Sequence, residues 1–260
     1  MVEDVHGAMT SLPRVQDSKP IDAKEENLLR QVERSLFIRK CAQSLLLDAT
    51  TTATAVVLTQ QFFAHGSKPE WDDRVIAGAC VFLATKSCEV PRTLRSVVNV
   101  VHAVKNDTTE PLGADQEYSD LKNSLINAEQ TVLRALQFDV DVVLPFAYLL
   151  NYAHQGRFKQ ATAHCALALA NDILCAEEAL LFPAFVLAAC CLYTASQMLE
   201  DDGEFGKDKW WYQYDTSDED ITAVSNLLAC VYAVMKQHPN SALTNQVGLT
   251  PTESNTVNTS

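Results

Sequence analysis

Residues 72–86, DDRVIAGACVFLATK, decide the fold class. From Val75 to Ala84 the run is Val, Ile, Ala, Gly, Ala, Cys, Val, Phe, Leu and Ala, with no alternation of polar and apolar. Helix-forming residues without a period of two predict a helix, not a strand. A helix that is apolar on every side has to be buried on every side. At 15 residues the stretch falls short of the roughly 20 that a bilayer crossing needs. It is therefore expected at the centre of a helical bundle. Asp72 suits an N-cap, and Asp73 suits the positive end of the helix dipole. Pro91 stands just beyond the end, where helices stop. Lys86 closes the run, either capping the dipole or awaiting a partner.

Amphipathic helices are expected on both sides. Over 25–47, Leu28, Leu29, Val32, Leu36, Phe37, Cys41, Leu45 and Leu46 recur at helical spacing. A second helix covers 50–64 and ends at His65-Gly66; Pro69-Glu70-Trp71 then turns the chain into the central helix. A fourth spans 93–105. After a loop over 106–114 containing Pro111 and Gly113, a fifth spans 117–136. Its stripe is Leu121, Leu125, Ala128, Val132 and Leu136. The pattern then restarts, with helices at 145–154, 158–174, 182–199 and 218–236. The third of these is again almost wholly apolar, and Pro183 sits at its favoured entry position. One buried helix among amphipathic ones, twice over, predicts an all-α protein of two tandem five-helix units. The expected boundaries are a flexible tail at 1–24, a first unit at 25–140, a second at 141–238 and a disordered tail at 239–260.

Composition excludes several classes of function. The 260 residues are 47% hydrophobic, as a protein with a real core requires, and carry a formal net charge of −13. Lys and Arg never gather beyond pairs such as Arg39-Lys40, so no basic face is available to displace counterions from nucleic acid. Anionic membrane surfaces are disfavoured for the same reason. None of the eight cysteines forms a CxxC, and most lie in apolar helical runs, which reads as buried free thiols in a reducing compartment. An apolar signal segment is not expected at the N-terminus. The histidines are scattered without metal-ligand spacing. Gly-rich phosphate loops, nucleophile elbows and kinase signatures are missing, so neither an enzyme nor a cofactor is expected. Asp201-Asp202 and Asp218-Glu219-Asp220 read as solvated loop and helix-start acids. Trp210-Trp211 reads as a core plug or a partner patch.

Two charges stand where apolar residues are expected. Lys86 ends the buried helix, and Glu129 lies between Ile126 and Leu133 on the inner side of the fifth. Charge there is costly unless paired or used by a partner. The residues alone allow an internal Lys86–Glu129 salt bridge, a capping Lys with an unrelated Glu, or a partner site.

The stretches FLATKSCEVPRTLRSVVNVVH and INAEQTVLRALQFDV resemble the cyclin box. That family carries a Lys closing its third helix and a Glu in its fifth, before a Leu-x-x-Leu-x-Phe run. Lys86 and Glu129 stand in those places, followed by Leu133, Leu136 and Phe138. The resemblance covers about residues 28–236. With Lys209-Trp210-Trp211 included, it is strongest to transcription-related cyclins of the cyclin-Q (cyclin-M) type, then the K, T and L types. It implies a regulatory subunit, not an enzyme, that binds and activates a cyclin-dependent kinase in transcription or the cell cycle. The kinase would be of the transcription-related branch or similar to cyclin-dependent kinase 10, and the protein nuclear, with some in the cytoplasm. The kinase-binding residues implied are Lys86, Glu129, Leu133, Phe138 and Val140. Two features depart from the family. The acidic pair after the Lys is reduced to Ser87-Cys88-Glu89. The first helix reads Arg34-Ser35-Leu36-Phe37-Ile38 in place of the Met-Arg-Ala-Ile-Leu docking motif, so that substrate site is not expected. The alternatives are a general transcription factor of the B type, which would need a basic face and a zinc ribbon, and a helical adaptor without a kinase.

Overall fold

In a computed structural model, the structure describes residues 23–66, 71–110, 112–113, 115–206 and 208–237. The expected tails fall outside this range, except that Ala23 and Lys24 already belong to the first helix. Pro69, Glu70, Pro111 and Ala114 also lie outside it.

The first five helices are α1 (Ala23–Ser44), α2 (Ala49–Ala64), α3 (Asp73–Ser87), α4 (Leu94–Asn106) and α5 (Gln116–Ala135). Four more follow: α6 (Phe146–Gln155), α7 (Gln160–Ile173), α8 (Ala184–Leu199) and α9 (Asp218–Gln237). Helix α3 is the apolar run that fixes the architecture. Every residue from Val75 to Thr85 is buried, among α1, α2, α4 and α5. The Asp72 carboxylate accepts from the Arg74 amide, as its capping role requires. Helix α8 repeats the arrangement, with Val186 to Leu192 buried among α6, α7 and α9. Among the described residues no strand forms, and no helix is long and apolar enough to cross a membrane.

Among the described residues the second unit adds to its four α-helices two short 3₁₀ helices, Glu177–Leu181 between α7 and α8 and Trp210–Tyr214 between α8 and α9. Trp210 and Trp211 are buried, which makes them a core plug. Trp210 stacks on Phe205 at a centroid distance of 5.3 Å, and Trp211 meets Tyr193 at 4.8 Å. The Trp211 indole N–H donates to Asp218 at 3.0 Å, so that acid holds the plug as well as starting α9.

Asp201 corrects the expectation of a solvated acid. It is buried and accepts from the Lys159 amide at 2.9 Å and the Thr162 hydroxyl at 2.5 Å. It therefore caps the start of α7 from 42 residues downstream, a role that spacing along the chain cannot reveal. Helix α1 is the second departure. Its sequence is polar, yet Gln31, Arg34 and Ser35 are all buried. The reason is its position between the two units: α2, α3 and α4 lie against it from one side and α9 from the other. The cysteines follow expectation where they are buried. Burial pushes the thiols of Cys41, Cys80, Cys175 and Cys190 up to about 12, which leaves them inert.

Candidate functional site

The last turn of α3 aims Lys86 at α5. The Lys86 Nζ donates to Glu129 Oε1 at 2.5 Å and lies 3.9 Å from the centroid of the Phe82 ring. The salt bridge open at the sequence level is therefore present. Its two ends differ in environment: the Glu129 side chain is 12% exposed and that of Lys86 is 46% exposed. An ammonium has three donors and a carboxylate two acceptor oxygens. Paired once, each keeps capacity toward solvent. The pair can thus present donors and an acceptor to an incoming chain without first being broken.

The corner after Lys86 is tightly made. The Glu89 amide donates to the Lys86 carbonyl at 3.2 Å and the Val90 amide to the Thr85 carbonyl at 2.9 Å, with Glu89 at φ +58°. Cys88 occupies the position where an acid is missing, and its thiol turns toward the Thr54 hydroxyl at 3.6 Å. Glu89 is exposed.

One helical turn beyond Glu129, Leu133 shares its face of α5 and is half-buried against the core. Helix α5 ends in a locked turn. The Phe138 amide donates to the Leu133 carbonyl at 2.8 Å, and the Asp139 amide to the Leu136 carbonyl at 2.9 Å. Gln137 and Phe138 both hold positive φ, at 53° and 63°. Phe138 is 68% exposed, an unusual placement for a phenyl ring. Val140 is half-buried and packs on the core. Of the five residues proposed from sequence, the fold joins Lys86 and Glu129 directly and sets Leu133 beside them. Phe138 and Val140 follow on the turn, with no bond or ring contact to the pair among the described residues.

Sequence reasoning missed the neighbouring corner. The run Leu45-Leu46-Leu47 reads as helix interior, yet α1 ends at Ser44 and Leu46 adopts φ +52° with 84% of its surface exposed. No Gly or Pro marks the stop. Arg92 holds the turn, donating from Nε to the Leu45 carbonyl and from Nη2 to the Leu46 carbonyl, each at 3.0 Å. Among the described residues no group of His, Cys, Asp and Glu is arranged to hold a metal.

Comparison with known proteins gives these features a context. A family model described as "Cyclin, N-terminal domain" matches residues 11–141. Cyclin-T1-4 of Arabidopsis thaliana is 30% identical over 221 residues, covering 82% of this chain and 40% of that protein. Cyclin-L2 of Mus musculus is 31% identical over 225 residues, covering 84% and 43%. The chain thus spans about two-fifths of the length of these curated relatives. Among solved structures, a chain of the yeast RNA Pol II CTD kinase CTDK-1 complex superposes with a TM-score of 0.65 at 17% identity, over 85% of this chain and 69% of that one. A chain of the CAK complex of Chaetomium thermophilum gives 0.59 at 13% identity, over 87% and 70%. At these identities the structural likeness speaks for the fold.

Proposed function

Since this chain belongs to the cyclin family, we propose that it is the regulatory subunit of a cyclin-dependent kinase of the transcription-related branch, or of one similar to cyclin-dependent kinase 10. The observation that carries the reading is the Lys86–Glu129 pair, half open to solvent at the end of the buried helix. The Lys86 ammonium keeps donors toward solvent, where a partner's acceptors can meet them, with the Glu129 carboxylate held beside it. Leu133, Phe138 and Val140 extend the contact along the end of α5. The first unit, 25–140, supplies these residues, and 141–238 continues the chain behind it. The curated relatives are cyclins of the T and L types, which supports a role in transcription and a nuclear location.

The mechanism is a shift of populations. A free kinase whose C-helix is turned out lacks the pair between its strand Lys and its helix Glu, and cannot align ATP. Lys86 and Glu129 hydrogen-bond backbone groups around that helix and favour its inward state. This chain contributes no atom to phosphoryl transfer. Its effect is bounded by how much better it binds the inward state than the outward one.

Co-expression with a panel of transcription-type kinases and cyclin-dependent kinase 10, followed by affinity and activity measurement, tests the proposal. A partner should be bound and activated. Lys86→Ala or Glu129→Ala should each weaken that binding by about 2 kcal/mol or more, because a desolvated partner group loses a charge-assisted bond. Unchanged affinity with lowered thermal stability would show a pair that serves the fold alone. Duplex DNA should not bind specifically at physiological salt, since a chain of net charge −13 without clustered Lys and Arg has no basic face to displace the DNA's counterions.

A further inference from the structure

Among the described residues, two large apolar side chains combine an exposed position with a left-handed backbone. They are Phe138, at φ +63° and 68% exposed, and Leu46, at φ +52° and 84% exposed. The other non-glycine residues at positive φ are Glu89, Asp107, Gln137, Arg157, Glu200 and Asp215, all polar or charged. At a helix C-terminus this conformation belongs to Gly or Asn, because the Cβ of other residues crowds the backbone there. For the fold alone Leu46 is a poor choice on two counts: it strains the turn, and it buries almost nothing. Strain that the fold does not need points toward function.

The turn is held firmly. The Leu45 amide donates to the Cys41 carbonyl at 2.9 Å, the Leu46 amide to Gln43 at 3.1 Å and the Leu47 amide to Ala42 at 2.9 Å. From outside the helix, Arg92 clamps the carbonyls of Leu45 and Leu46 with two guanidinium bonds of 3.0 Å. Arg92 stands just past the corner whose amides close on the Thr85 and Lys86 carbonyls. Leu46 and Lys86 therefore occupy the same end of the bundle, joined through one short segment. The side chain projects from a rigid seat, so little entropy is lost when a partner covers it.

We propose that Leu46 is a further kinase-contacting residue, an apolar anchor at the same end of the bundle as the Lys86–Glu129 pair, and that Arg92 is the positioning residue that holds it out. The inference rests on the kinase reading given above and extends the contact from α3 and α5 to the end of α1. The occupant it calls for is an apolar depression on the kinase, next to the backbone groups that meet Lys86.

The test measures kinase affinity and melting temperature on the same variants, with the kinase that binds in the co-expression panel. Leu46→Gly and Leu46→Asn suit the left-handed turn, so both should melt no lower than the parent chain. Both should bind about tenfold more weakly, as loss of an anchoring apolar side chain does. Arg92→Lys keeps the charge but not the two-pronged clamp. It should weaken binding too, and adding it to Leu46→Gly should cost nothing further, because Arg92 acts through Leu46. If Lys86→Ala weakens binding while both Leu46 variants bind within about twofold of the parent, this inference falls and the kinase reading stands. Weakened binding confined to variants that melt lower overturns it as well. If Lys86→Ala, Glu129→Ala and the Leu46 variants all bind like the parent, the kinase reading falls with it.

Discussion

Lys86 and Glu129 form one bond, but losing either end should not cost the same. Lys86→Ala strands a carboxylate that is 12% exposed, and a largely buried charge without its partner costs about 1–3 kcal/mol. Glu129→Ala frees a lysine that is 46% exposed and can turn to water, so the loss should stay below about 1 kcal/mol. Urea denaturation of the two variants should show this order. Kinase affinity, by contrast, should fall for both. Asp201 offers a residue-scale test in pH. Burial pushes its carboxyl up, but the bonds from Thr162 and the Lys159 amide outweigh this and hold it below its ordinary value of 3.8. The unfolded chain therefore takes up the proton first as the solution is acidified. The contribution of Asp201 is whole above about pH 4 and is lost as pH falls through the lower value of the folded state. Asp201→Ala should cost about 1–2 kcal/mol at neutral pH, as loss of a helix cap does. The gap between parent and variant should close in acid. None of this was legible in the sequence, where Asp201-Asp202 looks like any solvated acidic dipeptide. The pair was half legible: a Lys at the end of an apolar run is conspicuous, but its partner depends on how α3 and α5 cross.

At the scale of elements, the nine α-helices of the described residues follow the periodicity to within a few residues, because burial of one face, or of all faces in α3 and α8, dictates where each can exist. The ends are less legible. Most of these helices stop on non-glycine residues at positive φ, such as Leu46, Glu89, Phe138 and Glu200. The usual Gly signal is missing there, and the stop is imposed by contacts such as the Arg92 clamp. The short 3₁₀ helix at Trp210–Tyr214 was illegible for a similar reason. It is shaped by the aromatic side chains packed around it, not by a period. Gly78 marks the element-scale constraint most sharply. A Cβ there would lie 2.6 Å from Val101 Cγ2 and 3.1 Å from Leu125 Cδ2, so α3 approaches α4 and α5 more closely than any side chain permits. Propensity alone would make Gly78→Ala stabilising by roughly 1 kcal/mol. Val101 and Leu125 are fully buried and have nowhere to go, so overpacking of about 1–3 kcal/mol should win. The variant should melt lower than the parent. A higher melting temperature would mean that α4 can move away from α3.

At the scale of the whole molecule, the two units are less separable than their repeated pattern implies. The Gln60 amide donates to the Cys175 carbonyl at 2.7 Å and to the Ser35 hydroxyl at 3.2 Å, deep between the halves. Gln31 accepts from the Glu177 amide at 3.0 Å. Arg39 reaches across to Asp172 at 2.9 Å and to the Asn171 carbonyl at 2.8 Å, and Tyr232 donates to the other oxygen of Asp172 at 2.9 Å. Beside these bonds, Leu28 and Val32 of α1 share an apolar cluster with Cys175, Ala176, Val231 and Val234. Helix α1 thus belongs to the first unit by sequence and to both by packing. A segment ending at residue 140 would expose that cluster. It would also remove the bonds that Gln31, Gln60 and Arg39 make to the second unit, each worth roughly 0.5–1.5 kcal/mol and more for the charged Arg39 pair. Together with the exposed cluster, such losses compare with the whole stability of a domain, roughly 5–15 kcal/mol. The segment 25–140 should therefore fail to unfold cooperatively in urea, while 23–237 gives one transition that coincides by circular dichroism and by tryptophan fluorescence. Independent folding of 25–140 with a sharp transition of its own would show that the polar joint is decoration and that the two units are true separate domains.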